Sequence, residues 1–265
     1  MPYRLVAVLF AVWYPVLIPA ARGQSGETHD HALETIAVPE VPDTGPRADT
    51  DRVAAAIVDR TNEFRKKEGR PPVAANAELT ETARYFAGYM AKEDKYGHTA
   101  DGNRPADRAK EHGYQYCVVL ENIAYAFDSR GFPADELTGT FVTGWKESPG
   151  HRKNMLDPDV TETGVAVARS ETTGHYYAVQ MFGRPKSAAI EFRIDNRSGA
   201  EFGYTIGEEK FTLPPRYVRT HTRCRPAEVK FRWPGDKPEP TTVKPTAGDR
   251  LVVTRDGGEF RVKAD

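Results

Sequence analysis

The hydrophobic pattern changes once along this chain of 265 residues. This change of pattern is the feature that restricts the possible folds most strongly. From Asp51 to about residue 147, apolar residues recur at spacings of three and four, which is typical of amphipathic helices. From about Ser187 onward, short alternating runs are separated by turn residues roughly every 8 to 12 positions. The sequence therefore predicts two folded domains, a mixed one over residues 51–186 and an all-β one over residues 187–265.

Four helices are predicted in the first domain. The pair Pro71-Pro72 separates the first two, because proline disrupts helix interiors. A third helix is expected from Pro105 to His112, with Gly113 adopting the left-handed turn after it. A fourth is expected from about Ala134 to Glu147. The apolar faces of the first two helices carry Val53, Ile57, Val58 and Phe64, and Leu79, Ala83, Phe86, Ala87 and Met90.

Three runs in the same domain predict β-strands, at residues 117–127, 163–170 and 175–183. Residues 171–174, Glu-Thr-Thr-Gly, predict a hairpin turn between the last two. Helices combined with an antiparallel sheet define the α+β class.

The second domain is predicted to be a small sandwich or barrel of short strands. In one of these strands, Arg219, His221, Arg223 and Arg225 alternate with less polar residues. The alternation predicts a basic face opposite a more buried one. We interpret that face as solvated, and docking on an anionic envelope polymer is the alternative.

The N-terminal 23 residues differ from the rest of the chain. Arg4 precedes an apolar run that ends in the small-x-small pattern Ala21-Arg22-Gly23, so a secretory signal peptide cut near Gly23 is expected. An uncleaved anchor helix is the alternative, but the run contains Pro15 and Pro19 and is short for a span of about 20 apolar residues. We expect residues 24–50 to form a flexible lead-in. The mature protein should be extracellular or periplasmic, with no transmembrane anchor.

Cysteine content and charge fit an exported protein that binds no nucleic acid. Cys117 and Cys224 are the only cysteines, and in an oxidising compartment they can form a disulfide; two buried free thiols are the alternative. The chain carries 37 basic and 38 acidic residues, a balance that gives no positive excess for nucleic-acid binding.

The stretch WKESPGHRKNML contains a serine and a histidine that invite a hydrolase interpretation. Ser148 precedes Pro149, and serine at the N-cap with proline at the first helical position predicts a helix start. The hydroxyl would then accept a backbone N–H rather than attack a substrate. His151 would lie in the first turn, where the helix dipole favours the neutral imidazole that a metal ligand requires.

His98 and Glu121 are the candidate companions of His151. Two histidines and a carboxylate can form a divalent-metal site, or the carboxylate can orient one histidine from outside the ligand set. Spacing along the chain does not by itself bring the three together.

The order of five segments resembles the CAP superfamily of cysteine-rich secretory proteins, antigen 5 and pathogenesis-related 1, in its bacterial SCP-like form. The segments begin with RTNEFRKKEGRPPVAANAELTETARYFAGYMA and continue with GHTADGNRPADRAKEHGY, ENIAY, WKESPGHRKNML and GVAVA followed by YYAVQMFG. The resemblance covers about Asp51 to Pro185, leaving the signal peptide and the second domain outside it.

The resemblance implies an α-β-α sandwich with a cleft formed by two histidines and two glutamates. His98, Glu121 and His151 match three of these positions. At the fourth, where plant and animal members have glutamate, this chain has Ser148, and the neighbouring Glu147 is offset by one residue. We also assign Asn122 and Trp145 to the cleft or its surroundings, although an indole on this helix is more often a core residue.

Three functions follow as hypotheses. We prefer a secreted non-catalytic module that binds a lipid, a sterol or a cell-envelope polymer, with Zn²⁺ or another divalent ion held by His98 and His151. The second is a hydrolase of peptide or peptidoglycan, in which Glu121, with His151 and His98, would be catalytic. A hydrolase of this kind would lack one possible general base, because the fourth carboxylate of the family cleft is missing here. The third is a structural envelope protein that retains the cleft as a hydrogen-bonded relic.

Overall fold

The computed structural model describes residues 36–37, 47–235 and 240–265. The predicted signal peptide and most of the predicted lead-in lie outside these residues. The chain divides into two compact units, Met1–Gly183 and Arg184–Asp265. Within the described residues, no helix combines the length and the apolar character that crossing a bilayer requires.

The first unit contains five helices and a four-stranded sheet among its described residues. The helices are α1 Thr50–Lys67, α2 Ala77–Glu93, α3 Pro105–Glu111, α4 Ala134–Glu147 and α5 Pro149–Met155. The strands are β1 Ile36–Ala37, β2 Ala74–Ala75, β3 Lys95–Tyr96, β4 Tyr116–Ala126, β5 Glu162–Arg169 and β6 Tyr176–Pro185. The sheet has the order β2-β5-β6-β4, with β2 parallel to β5 and β5 antiparallel to β6.

Local sequence determines where the helices begin and end. The carboxylate of Asp49 accepts the backbone N–H groups of Asp51 and Arg52 at the start of α1. Asn76 caps α2 in the same way. After α3, Gly113 has a φ of 90°, which favours glycine. The four helices predicted from periodicity are confirmed.

Helices cover both faces of the sheet. Side chains alternate along β5, so Val165 and Val167 pack in one hydrophobic cluster and Ala166 in the other. The first cluster joins the sheet to α1, α4 and α5, through residues such as Phe141 and Met155. The second joins it to α2 and α3. The predicted α-β-α sandwich is therefore confirmed.

Part of the predicted lead-in is ordered strand. Residues Ile36–Ala37 form β1, which pairs antiparallel with β3. The predicted lead-in, residues 24–50, therefore contains a two-residue strand, and its flexibility stays a prediction. A two-residue strand carries too little periodicity to be recognised from sequence.

The second unit is a sandwich of two four-stranded sheets, ordered β10-β7-β13-β14 and β12-β11-β8-β9. Its own hydrophobic core includes Phe192, Tyr204, Phe231 and Leu251. The all-β prediction is confirmed. The strands are β7 Ile190–Asn196, β8 Phe202–Ile206, β9 Glu209–Leu213, β10 Val218–Arg223, β11 Val229–Arg232, β12 Thr241–Val243, β13 Arg250–Asp256 and β14 Glu259–Ala264.

The predicted orientation of β10 was wrong. His221 pairs with the inward-facing Phe192 of β7 and is only 8% exposed, whereas Val218 is 51% exposed. The basic residues of this strand therefore share the inner face of the sheet. Alternation alone identifies two faces but does not say which one the core covers.

Candidate functional site

The candidate cleft lies at β4, which forms one edge of the four-stranded sheet. Successive side chains of a strand point to opposite faces. Glu121 contacts Arg108 of α3, on one side of the sheet, and Asn122 contacts α5, on the other. Two neighbouring residues of an edge strand therefore reach elements of both helical layers.

Glu121 has both carboxylate oxygens engaged. Its Oε1 lies 2.7 Å from Nδ1 of His98, and Nη2 of Arg108 lies 2.8 Å from Oε2 and 3.1 Å from Oε1. The Glu121 side chain is 1% exposed. Because an ionised carboxylate only accepts hydrogen bonds, Nδ1 of His98 must carry the proton it shares with Glu121. In the neutral form of the His98 ring, the remaining nitrogen, Nε2, is then an acceptor.

Arg108 links the elements of this site and was missed in the sequence. Its fully buried guanidinium donates to Asp101 at 2.8 Å, to the carbonyl oxygens of His98 and Asn103, and to Glu121. The guanidinium also lies 3.5 Å from the ring centroid of Phe86. His98 is therefore held at its backbone by Arg108 and at its side chain by Glu121. The signal available in the sequence was an arginine in the first turn after the loop GHTADGNRP.

His151 lies in α5, as expected, and is neutral near neutral pH. Burial and, as the smaller cause, the nearby imidazole of His98 together lower the pKa of His151 to about 4. Burial is the larger cause, whereas the sequence had suggested the helix dipole. Nδ1 of His151 is buried and has no hydrogen-bond partner among the described residues. His98 is therefore close enough to His151 to affect its pKa.

An amide pair holds α5 against β4. Asn122 donates to the carbonyl oxygen of His151 at 3.2 Å. Asn154 donates to the side-chain oxygen of Asn122 at 2.9 Å and to the carbonyl oxygen of Glu121 at 3.1 Å. Asn154 was not identified from the sequence. These bonds fix the position of His151 relative to the carboxylate.

Trp145 lies in the core and does not line the cleft. Its side chain is fully buried and stacks on Phe141. Nε1 of Trp145 donates to the carbonyl oxygen of Ile123 at 3.1 Å, and the hydroxyl of Tyr96 donates to the same oxygen. Trp145 therefore supports β4 from behind the site.

Ser148 is the N-cap residue of α5, but its hydroxyl makes no capping hydrogen bond. The expectation that this hydroxyl is tied up by a backbone N–H was therefore wrong. Ser148 joins two helices through its main chain, because its N–H donates to Gly144 of α4 and its carbonyl accepts from Arg152 of α5. Glu147 is exposed and takes no part in the site.

The donor set does not fit a resident zinc ion. Glu121 faces Arg108 and His98, which leaves two imidazoles as donors. Zinc sites in proteins use three or four protein ligands. No group of three or more His, Cys, Asp or Glu side chains within the described part of the chain is arranged to hold a metal. The metal at His98 and His151 stays a prediction. The cysteines lie outside this site, and neither Cys117 nor Cys224 is a free thiol.

Comparisons with known proteins identify a family and two relatives that the first unit resembles. Residues 58–182 match the model of the cysteine-rich secretory protein family, CAP. The chain is 31% identical over 129 residues to the uncharacterized protein YkwD of Bacillus subtilis, covering 48% of this chain and 46% of YkwD. It is also 31% identical over 121 residues to the uncharacterized membrane protein YlbC of the same organism, covering 45% of this chain and 33% of YlbC. The chain thus spans less than half the length of either relative.

Among solved structures, the chain is similar to an extracellular protein with an SCP domain from Bacillus anthracis. The sequence identity is 24% and the TM-score is 0.43. The match covers 51% of this chain and 41% of that one.

Proposed function

Residues 58–182 form a domain of the cysteine-rich secretory protein (CAP) family, and from this premise we propose that the protein is a secreted, non-catalytic binding module. Its ligand would contact the imidazoles of His98 and His151 at the edge of β4. The engagement of Glu121 by Arg108 and His98 is the observation that carries this proposal.

A general base must reach the proton it removes and be free to accept it. Glu121 is buried, and an arginine and a histidine occupy its oxygens. Moving Glu121 toward a water molecule would break a buried ion pair, which costs several kcal/mol, on the order of 3 to 5. The family position that could supply a second carboxylate holds Ser148. A binding role is therefore favoured over hydrolysis.

The exposed parts of the two rings favour a neutral ligand that carries a hydroxyl or amide hydrogen. The His98 side chain is 25% exposed, and in a neutral ring whose Nδ1 carries the proton its Nε2 accepts a hydrogen bond. His151 is held neutral by burial and is partly exposed. Hydroxylated lipids, sterols and the sugars of envelope polymers offer such donors. Secretion is supported by the signal-like N-terminus and by the absence of free thiols among the described cysteines.

Chemical-shift changes of the histidine rings test the binding role. We expect a soluble sterol, a fatty acid or a peptidoglycan fragment to shift the NMR signals of His98 and His151, and His98→Ala/His151→Ala to abolish saturable binding of that probe. His112→Ala is the matched control, because His112 lies on the same unit but contacts Tyr85. Turnover of peptide or peptidoglycan that disappears in Glu121→Gln would instead establish the hydrolase.

Calorimetric titration with Zn²⁺ tests the remaining prediction of a metal site. Two imidazoles without a third ligand should give weak binding at most. Micromolar or tighter binding that is lost in the double alanine variant would show that the metal belongs to the function.

A further inference from the structure

A cluster of basic side chains lies on α1, α4 and α5. We call it the basic patch and define it by Arg60, Lys67, Lys146 and Arg152, of which the last two contact the ring of Phe64. Nζ of Lys146 and Cζ of Arg152 each lie 4.8 Å from the centroid of that ring. Arg60 lies against α4, because a Cβ added at Gly139 would be 3.4 Å from its Nη1.

The positive charges of the basic patch act on one another. Burial lowers the pKa of Lys146, and Arg60, Lys67 and Arg152 lower it further, whereas Glu63 raises it. Arg152 forms an ion pair with Glu68 at 3.1 Å, in which the two side chains are 41% and 35% exposed. Four cations thus face two carboxylates, and the cluster retains an excess of positive charge.

The packing of the hydrophobic core does not require these basic side chains to lie close together. Phe64 is 7% exposed and belongs to the hydrophobic cluster under α1 and α4, so the core is closed without a second cation near its ring. One cation near an aromatic ring is favourable, but gathering further like charges is not. An anion placed among these side chains would remove the repulsion.

The dimensions of the basic patch indicate a chain of anionic groups rather than a single ion. Arg60 and Lys67 lie on the same helix, and seven residues of helix span about 10 Å. Lys146 and Arg152 extend the patch across two more helices. Arginine and lysine are the side chains that proteins use to bind phosphate groups.

We propose that the basic patch binds a linear phosphate-bearing polyanion, with successive phosphates contacting cations on α1, α4 and α5. The proposal does not depend on what the cleft itself binds.

Fluorescence anisotropy with labelled inorganic polyphosphate tests the proposal on the chain with both units present. We expect Lys146→Gln/Arg152→Gln and, separately, Arg60→Gln/Lys67→Gln to weaken binding at least tenfold. The matched control is Lys92→Gln/Lys110→Gln, which removes the same charge from helices of the opposite layer and should change binding less than twofold. Binding should weaken as salt rises, because exposed charges are screened. Equal unfolding temperatures would show that the variants are folded.

Three results would overturn the proposal. Equal weakening by the control and patch variants would show that only net charge matters. Monophosphate that binds as tightly as polyphosphate would show a single-ion site. Binding to vesicles with anionic lipid, without binding to polyphosphate, would make a membrane surface the partner.

Discussion

Arg108 decides what Glu121 can do. A carboxylate at the edge of a sheet beside two histidines would normally be a candidate base or metal ligand. Here a buried guanidinium donates to both of its oxygens and also to Asp101, so the acid is held in place by an internal cation. The same guanidinium holds the loop that carries His98. One residue therefore sets both the position of the histidine and the reactivity of the carboxylate.

Replacing Arg108 should be severely destabilising. Arg108→Met leaves the buried carboxylates of Asp101 and Glu121 without their cation, and breaking a buried ion pair in this way costs about 3 to 5 kcal/mol. Urea unfolding should show this loss in the free energy of unfolding. Arg52→Met is the matched control, because Arg52 and Asp135 are 65% and 71% exposed in their ion pair, and an exposed pair contributes about 0 to 1 kcal/mol. Similar losses in both variants would contradict this account of Arg108.

His221 should make the second unit sensitive to acid. Its Nε2 lies 2.8 Å from the hydroxyl of Tyr204, and its ring stacks on Phe192. Burial, with smaller effects from Arg223 and Arg219, lowers the pKa of His221 to about 4. Between an unfolded pKa of about 6.5 and this folded value, the unfolded state binds more protons. Stability should therefore be complete above about pH 6.5 and fall as the pH drops toward 4, with a slope of up to about 1.4 kcal/mol per pH unit.

Urea unfolding of the wild type and of His221→Phe across this pH range measures that contribution. The variant should lose the part of the slope that belongs to His221 and keep the part due to other histidines. Parallel curves for the two proteins would show that His221 does not contribute.

At the scale of elements, α2 packs directly on β5 through a glycine. A Cβ at Gly164 would overlap backbone atoms of Leu79 and Thr80, so α2 would have to move. Gly164→Ala should destabilise the protein by about 1 to 3 kcal/mol or more. Gly88, within α2, has nothing within 4 Å of an added Cβ, and Gly88→Ala should stabilise by about 0.5 to 1 kcal/mol. Opposite shifts in the unfolding temperatures of the two variants would confirm both predictions. Destabilisation by Gly88→Ala would contradict the observation that an added Cβ at Gly88 has room.

The elements with strong periodicity were predictable from the sequence, and those without it were not. Helix α4 was predicted from about Ala134 to Glu147, which are the bounds that the structure shows. Strands β2 and β3 have two residues each, which is too short for any period. In the site, His98, Glu121 and His151 came from motifs, whereas Arg108 resembles any basic residue of a helix until its burial is known. The face of β10 depended on which sheet covers it, which is a tertiary property.

At the scale of the whole molecule, the family domain and the β-sandwich have separate cores. Phe192, Phe231 and Leu251 pack within the second unit, in a cluster of residues that all come from that unit. A single core in a domain of this size supports folding with modest stability, on the order of 3 to 5 kcal/mol. The second unit therefore has the physical requirements of an autonomous domain, and the basic patch and the cleft both belong to the first.

Expression of residues 184–265 alone tests whether that core is sufficient. The fragment should carry Cys224→Ser to prevent intermolecular disulfides, and we expect dispersed NMR signals and a cooperative urea transition. Adding Phe231→Ala to the fragment should abolish the transition, because removing a fully buried phenylalanine costs about 3 to 5 kcal/mol, as much as the whole expected stability. A fragment that unfolds without cooperativity would mean that the sandwich requires the first unit in order to fold. The results of the polyphosphate and histidine experiments would then describe one cooperative molecule rather than the first unit by itself.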